Sequence, residues 1–429
     1  MRQTSKLDKP LPRNLPPIYY ELLFIGFSIM TGMSLSSSFL PLLADQLDPS
    51  GTLVGMVVSA WFFSRAFLEL PAGIISDRIG RRKLLVIGLG LALLGPVLAS
   101  QATHIYILIF ARSVWGMGTA LYFMSNMALL MDILPADIRG SSLGMFQGIE
   151  NIGSFIGAPV GAYLATRFSF TQVFYFTIVF TLISFIIALS SKGMRDTVSN
   201  SEHKNKLTFQ QITGSLKDVR ILTVCLNVFL RMLVIQGIFQ TVLQLYLNKN
   251  MGLTVGDIGW VVGMKVAGQI VLLLLAGYLS DRYGRKPVLA AGFGVGALSL
   301  IAFILSKNFT GLLISGFLGG IGEGLGITTL LALLTDVAPA NARGGAVGLY
   351  RTFMDIGGFF GPIVFMIIYN QYPPLTAFYV GIGILLVNII LVLTAKTNKP
   401  RPLPTGLTDS NEEILLHEGL SRPKADHSQ

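Results

Sequence analysis

The chain has 429 residues, of which 52% are hydrophobic and 13% charged, and its net charge is +10. Soluble globular proteins carry about 25% charged residues, so a soluble domain of this length would leave a large apolar surface in water, and lipid is the simpler solvent. The basic residues lie between apolar segments and form no single patch, which argues against a nucleic-acid partner, and the lone cysteine, Cys225, rules out an intrachain disulfide.

Apolar runs of about 20 residues, the length that crosses a bilayer as a helix, occur twelve times, which predicts an all-α integral membrane protein. After an N-tail (1–17), the first span covers 18–43. It is too long for a signal-peptide core and lacks a small-residue cleavage pattern, so it reads as a retained helix. Its centre offers hydroxyls (Ser28, Thr31, Ser34, Ser36) and no acid. The second span, 52–76, carries Arg65 and Glu69, spaced to pair along one helix face. They precede Asp77 by 12 and 8 residues, roughly 18 and 12 Å into the membrane at the helical rise. The loop that follows reads Gly73-Ile-Ile-Ser-Asp77-Arg78-Ile-Gly80-Arg81-Arg82. The third span is 84–101. The fourth, 104–133, holds Arg112-Ser-Val-Trp-Gly116-Met-Gly118 and Asp132, and Pro135-Ala-Asp-Ile-Arg139-Gly140 comes next. The fifth, 140–166, contains Glu150 and the run Gly153-Ser-Phe-Ile-Gly157-Ala-Pro159-Val-Gly161. The sixth is 170–191.

Segment 192–219 is polar and reads as a linker with a short surface helix around Phe209–Lys217. Spans resume at 220–247 with Arg231, 256–280 with Lys265, 287–306, 309–337, 344–370 and 374–395; the tail 397–429 has the composition of a disordered segment. In the tenth span Glu323 lies 13 residues before Asp336, about 20 Å deep. It sits within Gly319-Gly-Ile-Gly-Glu-Gly-Leu-Gly, where the glycines are expected to leave space around its carboxylate. Ionisable groups at such depth are costly and mark cavities or pairs, so Glu323 is the leading candidate to exchange a proton. Glu150 and Asp355 are near-equivalents in the two halves and rank second; Asp355 also has Arg351 one turn away as a pairing partner. Five membrane bases (Arg65, Arg112, Arg231, Lys265, Arg351) face four acids, which leaves the charge of a substrate open.

The second half repeats the first at an offset of 204 residues. Gly277-Tyr-Leu-Ser-Asp281-Arg282-Tyr-Gly284-Arg285-Lys286 matches the first loop at six of ten positions, and Asp336, Arg343, Gly357 and Gly361 match Asp132, Arg139, Gly153 and Gly157. The reading is therefore a duplication of two parallel six-helix bundles, 18–191 and 220–396. Of the 32 Lys and Arg, 24 fall on the side of the termini and only Arg167, Lys249 and Lys307 on the other, so both termini are expected in the cytoplasm.

The doubled G-x-x-x-D-R-x-G-R-R/K loop resembles the signature loop of the major facilitator superfamily, and the resemblance extends from Ile18 to Lys396. It implies that this loop latches the halves, with Asp77 capping the eleventh span and Asp132 pairing with an arginine such as Arg81. Arg112 and its glycines resemble the family's buried-arginine motif, associated with proton coupling. Gly153 to Gly161 resembles the glycine-proline motif of proton-driven exporters and implies close approach of the fifth and eighth spans. Here the proline comes one position late, and the copy in the eleventh span, Gly357 to Gly361-Pro362, ends in Phe365.

The resulting expectation is a monomeric secondary transporter of a cytoplasmic membrane that exports small organic or amphipathic compounds by proton-coupled antiport and alternating access. The alternative is uptake or facilitated transport of a polar metabolite, a sugar or an organic anion; a receptor that has lost coupling is the third class. With no G-x-x-x-x-G-K-S/T loop and no histidine pair at zinc spacing, neither enzymatic activity, a metal nor a cofactor is expected, and a proton gradient is the energy source.

Overall fold

The computed structural model describes residues 15–48, 51, 53–135, 138–196, 218–339 and 343–395. The N-tail before residue 15, most of the linker, its expected surface helix and the C-tail lie outside the described residues. Twelve long helices follow in order. α1 is Pro17–Ser37, continued beyond a break at Ser38 and Phe39 by Leu40–Leu47; α2 is Val54–Ile79, α3 Arg81–Ser100, α4 Ile105–Ile133, α5 Arg139–Arg167 and α6 Phe170–Ser190. After a short helix, Lys192–Asp196, α7 runs Val219–Lys249 with a π-helical stretch at Ile235–Val242. Then come α8 Val255–Tyr283, α9 Arg285–Leu305, α10 Phe309–Val337, α11 Arg343–Gln371 and α12 Leu375–Thr394.

Even α3, with 20 residues, reaches about 30 Å, the thickness of a bilayer's hydrocarbon. Ten of these helices are long and apolar enough to cross a membrane, counted over the described residues. The two others, α2 and α5, carry Arg65 with Glu69 and Glu150, and both lie between the two halves of the molecule. Their polarity is that of interior walls. Side chains cap several entries: Ser169 and Gln172 form a capping box at α6, Thr254 and Asp257 another at α8, and Asn308 accepts from the Gly311 N–H at α10. The turns into α3 and α9 are made by Gly80 (φ 94°) and Gly284 (φ 92°), a left-handed backbone that favours glycine at both copies of the loop motif.

Each half has the same contact plan. α1 packs on α5 and α6, α2 and α3 on α4, and α3 on α6; α7 packs on α11 and α12, α8 and α9 on α10, and α9 on α12. Glycines set the closest crossings. A Cβ on Gly88 would reach the Tyr122 nitrogen at 2.6 Å, and one on Gly322 the Gly292 oxygen at 2.7 Å, so α3–α4 and α9–α10 cross backbone to backbone at equivalent places.

The halves touch along α2–α11 and α5–α8. We call the membrane face bearing the Gly80 and Gly284 turns the motif side and the opposite face the far side. From the far side inward lie the Lys249–Asp45 ion pair (2.7 Å), the Gln244 amide on the Ser37 carbonyl (2.9 Å), Gly55 under Pro362, and the Ser59 hydroxyl on the Phe359 carbonyl (2.6 Å). Gly259 lies against Ala162 and Gly263 against Pro159. Toward the motif side, built Cβ atoms on Gly144 and Gly148 of α5 and on Gly277 of α8 meet nothing within 4 Å among the described residues. Among the described residues, contacts between the halves close the far side, and α5 and α8 lie apart toward the motif side.

Candidate functional site

Polar groups inside this apolar frame gather at two places. The first bridges the halves. Arg65 on α2 is 3.5 Å from Glu69 one turn on and 3.9 Å from Asp355 on α11, while Arg351 of α11 reaches across to Glu69 at 2.7 Å. Arg65 also lies over the Trp61 ring, 4.4 Å from its centroid. Arg65, Glu69 and Asp355 are buried, and the formal charges of the four side chains, two bases and two acids, sum to zero. Asp355 therefore faces Arg65, and the pairing with Arg351 one turn away is not made. α11 faces α2 here, so Arg351 finds its acid on the opposite helix.

The second cluster lies wholly in the second half. Lys265 on α8 meets Glu323 on α10 at 2.7 Å, and the Arg231 guanidinium on α7 donates to the Glu323 carbonyl at 3.2 Å. Phe239, in the π-helical stretch of α7, places its ring 5.4 Å from the Lys265 nitrogen. Arg231, Phe239 and Glu323 line a small cavity, about 20 Å³, with Gly292, Gly296 and Gly319. That volume admits about one water.

Of the glycines around Glu323, Gly319 and Gly322 line the cavity beside it, and several also serve a purpose other than the one expected. A Cβ on Gly320 would strike the Lys265 carbonyl, and one on Gly324 the Gln269 carbonyl, so these two bring α10 onto α8. Gly322 does the same toward α9, while Gly319 makes room for the Phe239 ring and the Ser299 hydroxyl, and Gly326 for the Arg231 side chain. Close crossing at Gly320 is what delivers Glu323, three residues on, to the Lys265 ammonium. Sequence reasoning named Lys265 among the membrane bases but not as the partner of Glu323. The repeat relates the two crossings, since Gly320 repeats Gly116, whose missing Cβ points at the Trp61 backbone, and Lys265 is the repeat-equivalent of Trp61; the sequence alone shows neither contact.

Arg112 and Glu150 join neither cluster. Arg112, buried on α4 with its guanidinium 5.2 Å from the Trp115 ring, meets no carboxylate among the described residues. Glu150 lies beside Gly26 of α1, with one carboxylate oxygen buried and without a hydrogen-bond partner among those residues.

The glycine-proline run of α5 divides its contacts. Built Cβ atoms on Gly153, Gly157 and Gly161 would meet the carbonyls of Phe27, Thr31 and Leu35, so the glycines face α1 and not α8 as expected. Pro159, with Ala158 and Ala162, is what meets α8. In the second half Gly357 and Gly361 face α7 in the same way, and the departure at Phe365 is matched by Gly237 opposite it, where the first half has Gly161 against Leu35. Large and small residues have changed helices and the crossing is kept.

At the motif side Arg81 pairs with Asp132, and Arg285 pairs with Asp281 and, at 3.1 Å, Asp336. Arg139 donates to the Leu134 carbonyl at 3.1 Å, and Arg282 to the Tyr278 hydroxyl at 3.0 Å. The side chains of Asp77, Arg78 and Arg343, and the surroundings of Gly73, lie outside the described residues, as does the proposed cap of Asp77 on α11. No group of three metal-ligating side chains occurs among those described.

Comparison with known proteins matches the family model of the Major Facilitator Superfamily to residues 22–241 and 224–424. Multidrug resistance protein 2 of Bacillus subtilis (strain 168) is 25% identical over 383 residues, covering 86% of this chain and 94% of that protein. Quinolone resistance protein NorA of Staphylococcus aureus (strain MSSA476) is 23% identical over 385 residues, covering 89% and 97%. The crystal structure of the nucleoside transporter NupG superposes with a TM-score of 0.76 at 13% identity, over 88% of this chain and 99% of that one, which speaks to the fold alone.

Proposed function

This chain belongs to the Major Facilitator Superfamily, and on that premise we propose that it is a monomeric proton-coupled antiporter exporting small organic or amphipathic compounds across a cytoplasmic membrane. The observation that carries the reading is the buried Lys265–Glu323 pair at mid-membrane depth, beside a cavity and under Arg231. A carboxylate so placed has two alternative partners, the ammonium or a proton. Taking up the proton frees Lys265, and the change of charge is felt directly by Arg231 and by the π-helical stretch bearing Phe239. The drug-resistance names of the two curated relatives support export over uptake.

In this mechanism the parted motif side is the cytoplasmic face, in keeping with its excess of Lys and Arg, and the structure corresponds to the state that loads substrate from within. Closure of the motif side would rock the halves about the Arg65, Glu69, Arg351 and Asp355 network, which already joins α2 to α11. Arg112, a buried cation with no acid beside it among the described residues, would hold the field of the first half positive while protons move. The proton gradient is the energy source, with no bound cofactor.

The surplus of one cation in the Arg231, Lys265 and Glu323 cluster favours a second reading, uptake of an organic anion. Proteoliposomes with an imposed pH gradient separate the two. Ethidium is expected to be driven against the proton gradient by wild type and not by E323Q. Full coupling in E323Q removes Glu323 from the mechanism, and gradient-driven entry of an organic anion in place of ethidium export overturns the direction.

A further inference from the structure

The motif-side surface of the first half has a pocket to which the proposed transport cycle assigns no ligand. This pocket, of about 250 Å³, opens between the start of α3 and the short helix after α6; its described lining includes Arg81, Arg82, Lys83 and Arg195 and, of acids, Asp132. Arg81 is taken up by Asp132. The remaining three cations meet no carboxylate among the described residues. Two are drawn together: the guanidiniums of Arg82 and Arg195 both donate to one acceptor, the Leu189 carbonyl at the end of α6, at 2.7 and 3.1 Å. Like charges converging on one neutral oxygen repel, and an anion between them relieves that repulsion. α3 also starts here without a side-chain cap, so its first-turn N–H groups and the positive end of its dipole face the same region.

The duplicated half is an internal control. Lys286 repeats Arg82 and donates to the Leu393 carbonyl at 3.3 Å, the repeat-equivalent of Leu189, so that contact belongs to the shared frame. There, however, Pro287 replaces Lys83, and Arg285 is balanced by both Asp281 and Asp336. Among the described residues, the second half therefore lacks the cation that Lys83 places at the rim of the pocket.

We propose that this pocket binds the phosphate of an anionic phospholipid headgroup. The site lies at the ends of two membrane-spanning helices, where headgroups sit, and its lining combines the cations with exposed Ile79. A phosphodiester oxygen fits between Arg82 and Arg195, with Lys83 at the rim.

The test is native mass spectrometry of the detergent-purified full chain titrated with dioleoyl-phosphatidylglycerol, dioleoyl-phosphatidylcholine or inorganic phosphate. Wild type is expected to retain phosphatidylglycerol in preference to phosphatidylcholine. K83Q, at an exposed rim position, should weaken it roughly five-fold, and K83Q/R195Q roughly 30-fold. K286Q, which removes one charge from the equivalent place in the second half, should leave affinity unchanged. Equal retention of the two lipids overturns the proposal, as does an equal loss in K286Q and K83Q. Displacement of phosphatidylglycerol by equimolar inorganic phosphate makes this a free-anion site and overturns the lipid assignment.

Discussion

Removing one partner of a buried ion pair strands the other, and Glu323 and Lys265 allow this to be used as a test. E323Q leaves the Lys265 ammonium and Arg231 inside the second half without their acid. K265M leaves the carboxylate with only Arg231 nearby. Each single change should cost about 3–5 kcal/mol, whereas the double variant K265M/E323Q strands neither charge of the pair and should be more stable than either. Thermal unfolding of the purified proteins reads this directly, and a double variant destabilised by the sum of the singles would mean the groups do not act as a pair. The double variant also separates folding from coupling, since it should remain folded and still fail to couple export to protons. Depth made Glu323 legible in the sequence, because thirteen helical residues from Asp336 is a distance the sequence contains. Its partner was not, because pairing depends on which face of α8 meets α10. The i,i+4 spacing likewise marked Arg65 with Glu69, while the reach of Arg351 across to Glu69 depends on how two halves dock, for which local spacing holds no information.

Between helices, the glycines sort by what a methyl group would meet. Gly320→Ala forces its Cβ into the Lys265 carbonyl and should destabilise by about 1–3 kcal/mol. Gly294→Ala on α9 meets nothing within 4 Å and should be neutral or stabilising by up to about 1 kcal/mol, since alanine is the better helix former. Midpoints that fall together would show that the α8–α10 crossing is looser than described. The exchanged pair Gly237–Phe365 permits a sharper experiment. F365G alone removes a buried ring, a loss of about 3–5 kcal/mol or more, and G237L alone puts a side chain into that ring. Together they rebuild the Leu35–Gly161 arrangement of the first half, so G237L/F365G should recover part of the stability lost by F365G. No recovery would mean that the two crossings are not equivalent. The repeat register revealed the glycines, the twelve helices and the two turns at Gly80 and Gly284, all of which follow from composition and spacing. The resemblance to the glycine-proline motif misdirected the reading of Gly153, Gly157 and Gly161, because a row of small residues says that a helix comes close without saying which one.

Across the whole molecule, closure of the far side depends on a few polar contacts between otherwise apolar walls. Lys249–Asp45 is the outermost of those described here, a partly exposed pair worth about 0–1 kcal/mol. That is small against folding but comparable with the gap between two conformations of a transporter, where about 1 kcal/mol shifts a population roughly five-fold. D45K puts two ammonium groups where an ion pair stood and should favour states open to the far side. D45K/K249D restores attraction with the charges exchanged and should return the population to its starting point. The readout is the rate at which a membrane-impermeant maleimide, added from the far side, labels a cysteine introduced at Ser59. This residue is buried in the closed α2–α11 contact, and the native Cys225 is itself buried. Labelling should rise roughly five- to ten-fold in S59C/D45K and fall back in S59C/D45K/K249D. A rise that the swap does not reverse would mean that Asp45 acts through something other than Lys249. No rise at all would place the energetic seal deeper, at Gly259 against Ala162 and Gly55 under Pro362, where the walls meet through backbone and methyl contacts that no charge reversal reaches.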